Sequence, residues 1–264
     1  IIDRLSEIKT PILFHITVTP YKDDIEINVP NKKDIILSIK KLSSIIGKEN
    51  LLRIKNTSVM VVGVGGVGGY VVESLVRSGI ENIIIVDHDI VDVTNKNRQI
   101  IALDSTIGKK KVDVLKLRIL DINPNTKVTA LDTFLDNTNI DAIITKYNPD
   151  YVVDACDTIM TKKGLISACL KHHIFILSSM GTGNKLDPSK LQISDIRKTS
   201  YDPLAKILRK WVNDEKIKDK IMVLWSNEKP IKTHDRTPGS TSFVPSSAGL
   251  LITSYIIRNI IKTS

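Results

Sequence analysis

Apolar and polar positions alternate over two short stretches near the start of the chain, ILFHITVTP (12–20) and DIEINVP (24–30), each closed by a proline. Period-two alternation bounded in this way predicts two short strands, with a hairpin turn around Tyr21–Asp24. From Lys33 to Leu52 the apolar positions recur at helical spacing instead. No chemistry is visible in residues 1–36, which read as an added N-terminal extension of unknown role.

At Ser58 the rhythm becomes strand, helix, strand. SVMVVG (58–63) is apolar without interruption, as a strand covered on both faces requires. Val67–Arg77 is helical and IIIVDHD (83–89) is the next strand. Residues 109–121 form a helix that stops before Asn123–Pro124. KVTAL (127–131), YVVDA (151–155) and IFILSS (174–179) continue the strand series, with helices between them. After Ser179 come a Gly-rich loop, a strand near Leu191–Ser194, a helix over Pro203–Val212 and a strand at Ile221–Trp225. A polar loop (227–242), expected to be mobile, and an apolar helix at Gly249–Ile261 close the chain. This alternation predicts a doubly wound, mostly parallel α/β sheet of Rossmann-like design.

Composition narrows the partners. The 264 residues are 42% hydrophobic and 25% charged, enough for a proper core. No apolar run approaches the roughly 18–20 residues that span a bilayer, and residues 1–20 lack a signal-peptide pattern. Cys156 and Cys169 are the two cysteines, too few for a disulfide framework or a four-cysteine zinc site, so a reducing, cytoplasmic setting is expected. The chain begins with Ile rather than Met, which leaves an organellar or membrane-associated location open. Lys and Arg outnumber Asp and Glu by 38 to 29, a formal charge of +9 that favours polyanionic partners. An Ile/Lys/Asn-rich composition that drifted basic explains the same excess without a partner.

The densest chemistry lies in VVGVGGVGG (61–69). Gly63-x-Gly65-x-x-Gly68 follows a strand and opens a helix, the setting in which glycine lets the backbone approach phosphates at a helix N-terminus. Asp87, at the end of the next strand, is placed to bond a ribose hydroxyl. So far an NAD-dependent oxidoreductase fits as well as an ATP enzyme. Three further features favour ATP together. Asn95, Arg98 and Gln99 follow the ribose strand, Lys111 opens a helix that returns to the same strand ends, and Asp154 and Asp157 close a third strand. Two cations on one nucleotide suit a triphosphate, and a carboxylate at the sheet's carboxyl edge suits Mg²⁺. Singly, each has a plain alternative: a surface pair for Arg98, a solvated face for Lys109–Lys111, a helix cap for Asp157.

GVGGVGG, DHDIVDVTNKNRQI, the lysine of GKKKVD and DACD together resemble the ThiF/E1-like adenylating family over about residues 44–264. The resemblance implies a ThiF/E1-like domain at 37–264, with a nucleotide half at about 56–180 and a substrate half at about 181–264. It also implies ATP and Mg²⁺ as cofactors and attack of a carboxylate on the α-phosphate. Gly63, Gly65, Gly66 and Gly68 match the family's phosphate loop, Asp87 its ribose ligand and Asp89 the acidic residue two beyond. Asn95, Arg98 and Lys111 match the groups around the phosphates, and Asp157 the magnesium aspartate.

Many members relay the acyl adenylate to a thiol. Here Cys156 sits at a strand end and Cys169 within an apolar helix, where a buried thiol is inert, so no thioester is expected. SSMGTGNKLDPSKLQISDIRKTSYDPLAK (178–206) and FVPSSAGLLITSYIIRNII (243–261) are similar to a narrower group, the tRNA threonylcarbamoyladenosine dehydratases (the TcdA/CsdL type). That likeness implies a homodimer acting on threonylcarbamoyladenosine-containing tRNA, with ring closure by the substrate's own side chain and a sulfur or electron donor protein as a further partner. An E1-like activator of a small protein's C-terminus, an NAD-dependent oxidoreductase and a non-catalytic tRNA-binding relative are the alternatives. Lys185, Lys190, Arg197, Lys198, Lys206, Arg209 and Lys210 are the candidate phosphate contacts on tRNA. One departure stands out: the family's arginine before the glycine loop is replaced by Lys40 and Lys41, with Arg53 as the nearest substitute.

Overall fold

The computed structural model describes residues 15–16, 27–28, 41–233 and 238–262. β1 (His15–Ile16) and β2 (Ile27–Asn28) pair antiparallel, while the turn expected around Tyr21–Asp24 lies outside the described residues. Of the expected Lys33–Leu52 helix, residues 33–40 lie outside the described residues, and the remainder is interrupted. Residues 41–46 are helical, Gly47 takes a φ of 82°, and α1 runs over Lys48–Asn56. A left-handed glycine cannot sit inside a right-handed helix, so the apolar period crosses the break unnoticed.

The main sheet has the order β5–β4–β3–β6–β7–β9–β8. β3 (Ser58–Val62), β4 (Asn82–Asp87), β5 (Lys127–Asp132), β6 (Tyr151–Asp154), β7 (Phe175–Ser179) and β9 (Met222–Ser226) are parallel. β8 (Leu191–Asp195) is antiparallel to β9. Alternate strand residues feed two cores. Val59, Val61, Ile83, Ile85 and Val153 pack under α1, α2 (Gly68–Arg77), α3 (Lys111–Ile122) and α7 (Phe243–Lys262). Met60, Val62, Ile84, Val86 and Val152 pack under α4 (Ile140–Tyr147), α5 (Ile159–Lys171) and α6 (Pro203–Asp214). Each such burial is worth roughly 1.5–3 kcal/mol, which explains why these strands read as unbroken apolar runs.

From β3 the chain winds outward through β4 and β5, then returns to lay β6 on the other side of β3. The order therefore reverses between β3 and β6, and a crevice opens beyond their carboxyl ends.

α7 begins at Phe243, six residues before the expected Gly249. Thr241 Oγ1 accepts from the Val244 N–H, and Pro245 falls in the first turn, where its missing N–H costs nothing. Gly249 is needed for contact rather than for ending the helix, since a Cβ there would lie 2.7 Å from the Val67 carbonyl oxygen of the α2 entry. Val244, Ala248, Ile252, Ile256 and Ile260 make one buried stripe. By length and composition Phe243–Ile261 could cross a membrane, yet this stripe packs into the core beside α2.

α2 and α3 are tied by Glu73, which accepts from Arg118 Nε (2.6 Å) and from Arg77 Nε (2.8 Å). Burial pushes the Glu73 carboxyl up, but hydrogen bonds from Arg118 and Arg77 outweigh it and hold the group below its ordinary value. A depressed carboxylate stabilises the fold above its unfolded pKa and loses that contribution as pH falls through the folded value. The unfolding temperature of the wild type should drop more steeply below about pH 4.3 than that of Glu73→Gln; equal slopes would remove this role.

Candidate active site

The crevice is walled by the loop after β3, the turn after β4, the start of α3 and the turn after β6. Gly63 has a φ of 82°, and its N–H donates to Val86 O at 2.8 Å. A Cβ on Gly63 would meet the Ala155 carbonyl oxygen and Cys156 nitrogen at 2.8 Å, and one on Gly68 would overlap the Gly63 carbonyl oxygen. Two of the four loop glycines are thus demanded by backbone packing alone. Gly65 and Gly66 are different: the nearest atoms to a Cβ there belong to the side chains of Gln99 (3.6 Å) and Arg98 (3.3 Å). Arg98 therefore lies over the loop. Its Nη1 donates to Thr94 O (2.9 Å) and Asn97 Oδ1 (2.8 Å), and among the described residues Nε and Nη2 have no acceptor.

Asp87 braces the crevice. Its Oδ2 accepts from the Val64 N–H at 2.8 Å and its Oδ1 from the Asp89 N–H at 2.9 Å, so one carboxylate joins the glycine loop to the turn after β4. Lys111, at the first residue of α3, is nearly buried and gives its ammonium to Asp89 Oδ2 at 2.7 Å. The helix start is stapled to this turn by Val91 N–Lys109 O (2.8 Å) and Lys111 N–Asp89 O (3.0 Å). Asn95, also buried, accepts from the Asp92 N–H at 3.2 Å in a capping box. Gln99 is buried too, with its Oε1 lacking a partner among the described residues.

Asp157 stands on the turn after β6 and is exposed. It does not cap α5, whose N-cap is Thr158; among the described residues its carboxylate accepts from Thr158 Oγ1 alone, at 3.4 Å. A nearly free carboxylate at the sheet edge fits a hard divalent cation. Asp154, three residues earlier, is fully buried against Lys162 and serves the interior.

Neither cysteine is activated. Burial, then the nearby Asp154 charge, pushes the Cys156 thiol well up, and the same causes push Cys169 up to about 12. Cys156→Ser/Cys169→Ala should keep its turnover within about threefold of wild type, since no thiolate is available to lose. A collapse of turnover in a folded double variant would mean that a thiol takes part.

Other expectations need correcting. Arg53 pairs with Glu49 at 2.8 Å on α1, which leads into β3 at its amino end, roughly 17 Å of strand from the glycine loop. It cannot serve the crevice of its own chain. Lys40 lies outside the described residues, and Lys41 is exposed. Three of the proposed tRNA contacts are already engaged. Lys185 is buried against Asp202, Arg197 binds Asp195 and the Ile217 and Asp219 carbonyls, and Arg209 donates to Thr199. Lys190, Lys198, Lys206 and Lys210 remain exposed.

A doubly wound sheet with a phosphate-type glycine loop, a ribose-type aspartate and two cations at its switch point defines a nucleotide-binding protein of the adenylating kind. The chain belongs to the ThiF family, whose model matches residues 38–199. Among its relatives, the tRNA threonylcarbamoyladenosine dehydratase of Bacillus subtilis is 44% identical over 234 residues, which cover 82% of this chain and 92% of that protein. The crystal structure of Escherichia coli tRNA N6-threonylcarbamoyladenosine dehydratase, TcdA, in complex with AMP superposes with a TM-score of 0.82 at 30% identity. It covers 89% of this chain and 98% of that one. The same enzyme in complex with ATP gives 0.80 at 31% identity, covering 85% and 94%.

Proposed function

We propose that this chain uses ATP to adenylate the free carboxylate of the threonylcarbamoyl group on adenosine 37 of tRNA. The group's own side chain then closes a ring and expels AMP, for a net loss of one water. The observation that carries this reading is the convergence of Asp87, Arg98, Lys111 and Asp157 around a phosphate-type loop that has no activated thiol nearby. Relatives named for this reaction, one solved with AMP and with ATP, support it.

In this account Gly63 shapes the loop, its N–H held by the Val86 carbonyl, while the loop N–H groups at Gly65, Gly66 and Gly68 receive the phosphates and Asp87 orients the ribose. Asp89 keeps the Lys111 ammonium in place at 2.7 Å, so that Lys111, Arg98 and Asn95 meet the charge that builds as pyrophosphate departs. Asp157 would hold Mg²⁺, which supplies further positive charge against the phosphate oxygens. The adenylate is then attacked from within the same substrate, where proximity replaces an enzyme nucleophile. Residues 56–180 serve as the nucleotide half and 181–264 as the substrate half, in a homodimer whose exposed lysines receive tRNA and which works with a sulfur or electron donor protein.

ATP–pyrophosphate exchange tests the reading. Exchange that needs tRNA bearing threonylcarbamoyladenosine, and is not given by unmodified tRNA, is the expected result. Exchange driven by a small protein's C-terminal carboxylate instead would transfer the chain to the protein-activating branch.

A further inference from the structure

Lys162 lies fully buried in the first turn of α5, IMTKKGLISACLK, outside the proposed nucleotide contacts. Its ammonium meets Asp154 Oδ1 (3.1 Å) and Oδ2 (3.0 Å), Ser178 Oγ (3.4 Å) and the Ser179 carbonyl oxygen (2.8 Å). Asp154 in turn accepts from the Cys156 N–H (3.2 Å), the Cys156 thiol (3.0 Å) and Ser178 Oγ (2.5 Å). One buried ion pair therefore touches both the turn that carries Asp157 and the last residue of β7.

The loop that follows β7 is gripped a second time. Lys185, also buried, donates to the Gly181 carbonyl (2.5 Å) and to Asp202 Oδ2 (3.2 Å). Asn184 exchanges two hydrogen bonds with Gly239, N to O at 2.8 Å and Oδ1 from N at 2.7 Å. Two carbonyls of residues 179–185 are thus held by buried ammonium groups, that of Ser179 by Lys162 and that of Gly181 by Lys185. Stability alone does not account for this. A buried ion pair loses most of its Coulomb energy to desolvation, and apolar replacements are often neutral or better. What an ammonium does that an apolar side chain cannot is fix a carbonyl's direction.

We infer that Lys162 is a positioning residue for adenylation: through Asp154 and the Ser179 carbonyl it sets the 179–185 loop against the Asp157 turn, so that the acyl carboxylate meets the α-phosphate. This rests on the function proposed above. On that reading the loop, which opens the proposed substrate half, is the substrate wall, and the pair fixes its distance from the turn that carries Asp157.

The test is Lys162→Met/Asp154→Asn, which removes both charges, keeps the side-chain shapes and leaves an acceptor for the Cys156 N–H. The expected result is a folded protein whose kcat falls about 100-fold, as misplacement by an ångström does, with KM for ATP within about threefold. A folded double variant with kcat near wild type overturns the proposal. Should it fail to fold, Ser178→Ala decides: it removes the 2.5 Å bond to Asp154 without touching the charges. A kcat lowered about tenfold at an unchanged melting temperature is then expected, and an unchanged kcat overturns the proposal. If the wild type itself releases no pyrophosphate, the functional reading has failed. Hydrogen exchange over 179–185 then judges the positioning alone: exchange should be about tenfold faster in either variant relative to β6, and equal exchange refutes it.

Discussion

Gly68→Ala is expected to abolish nucleotide binding by preventing the loop from forming. The added Cβ would overlap the Gly63 carbonyl oxygen and lie 3.3 Å from Ala155 Cβ. The carbonyl cannot retreat, because Gly63 is pinned by its N–H bond to Val86 and pressed against Ala155 on β6's side. Overpacking against movable side chains costs typically about 1–3 kcal/mol; against the fixed Gly63 backbone and an Ala155 Cβ that has no rotamer to change, the loss should reach or pass the upper end. Gly65→Ala is the control. Its nearest neighbour is the Gln99 amide at 3.6 Å, an ordinary contact, so this variant should fold with a nearly unchanged melting temperature. It should still bind ATP more weakly, because the methyl group faces the space where phosphate would lie. Melting curves and ATP titration of the pair separate the two effects. A stable Gly68→Ala protein would mean that the loop has another conformation.

Asp157→Ala should do the reverse, sparing the fold and removing catalysis. The carboxylate is exposed, caps no helix and accepts one long bond from its neighbour, so its loss should leave the melting temperature unchanged. If it holds the metal, exchange of pyrophosphate into ATP should fall about 10²–10³-fold, and the Mg²⁺ concentration for half-maximal rate should rise. Arg98→Ala should give a comparable fall without changing the Mg²⁺ requirement. A folded Asp157→Ala protein with full exchange would free this residue of any part in the reaction.

Much of this was legible in the sequence, for physical reasons that can be named. Buried parallel strands read as apolar runs, and the turn from β3 into α2 must use glycine where backbones touch, so the nucleotide crevice could be located from residues 58–89. The same glycines left NAD and ATP equally open, because a phosphate loop records a phosphate and nothing beyond it. Residues outside a motif were harder to place. Lys162 reads as one of two adjacent lysines on a helix, yet it lies on the face that also carries Leu165, Ile166 and Cys169, all buried. That spacing is the signal that could have found it. Lys185, Arg197 and Arg209 looked like surface cations because a sequence does not show which acid or carbonyl a side chain will reach. Asp87 was expected at a ribose, and its bonds to Val64 and Asp89 could not be foreseen, since both run to backbone N–H groups. The start of α7 was missed because Pro245 and Gly249 look like breakers, although one sits in a first turn and the other under a crossing helix.

The central claim is that this chain dehydrates a modified adenosine in tRNA at the expense of ATP. Its most direct test is nucleoside mass spectrometry of tRNA carrying threonylcarbamoyladenosine after incubation with the protein, ATP and Mg²⁺. The account predicts that this nucleoside is replaced by one lighter by a single water, with one AMP formed per conversion, and that omitting ATP prevents both. An unchanged nucleoside, in a sample that binds ATP and this tRNA, would contradict it.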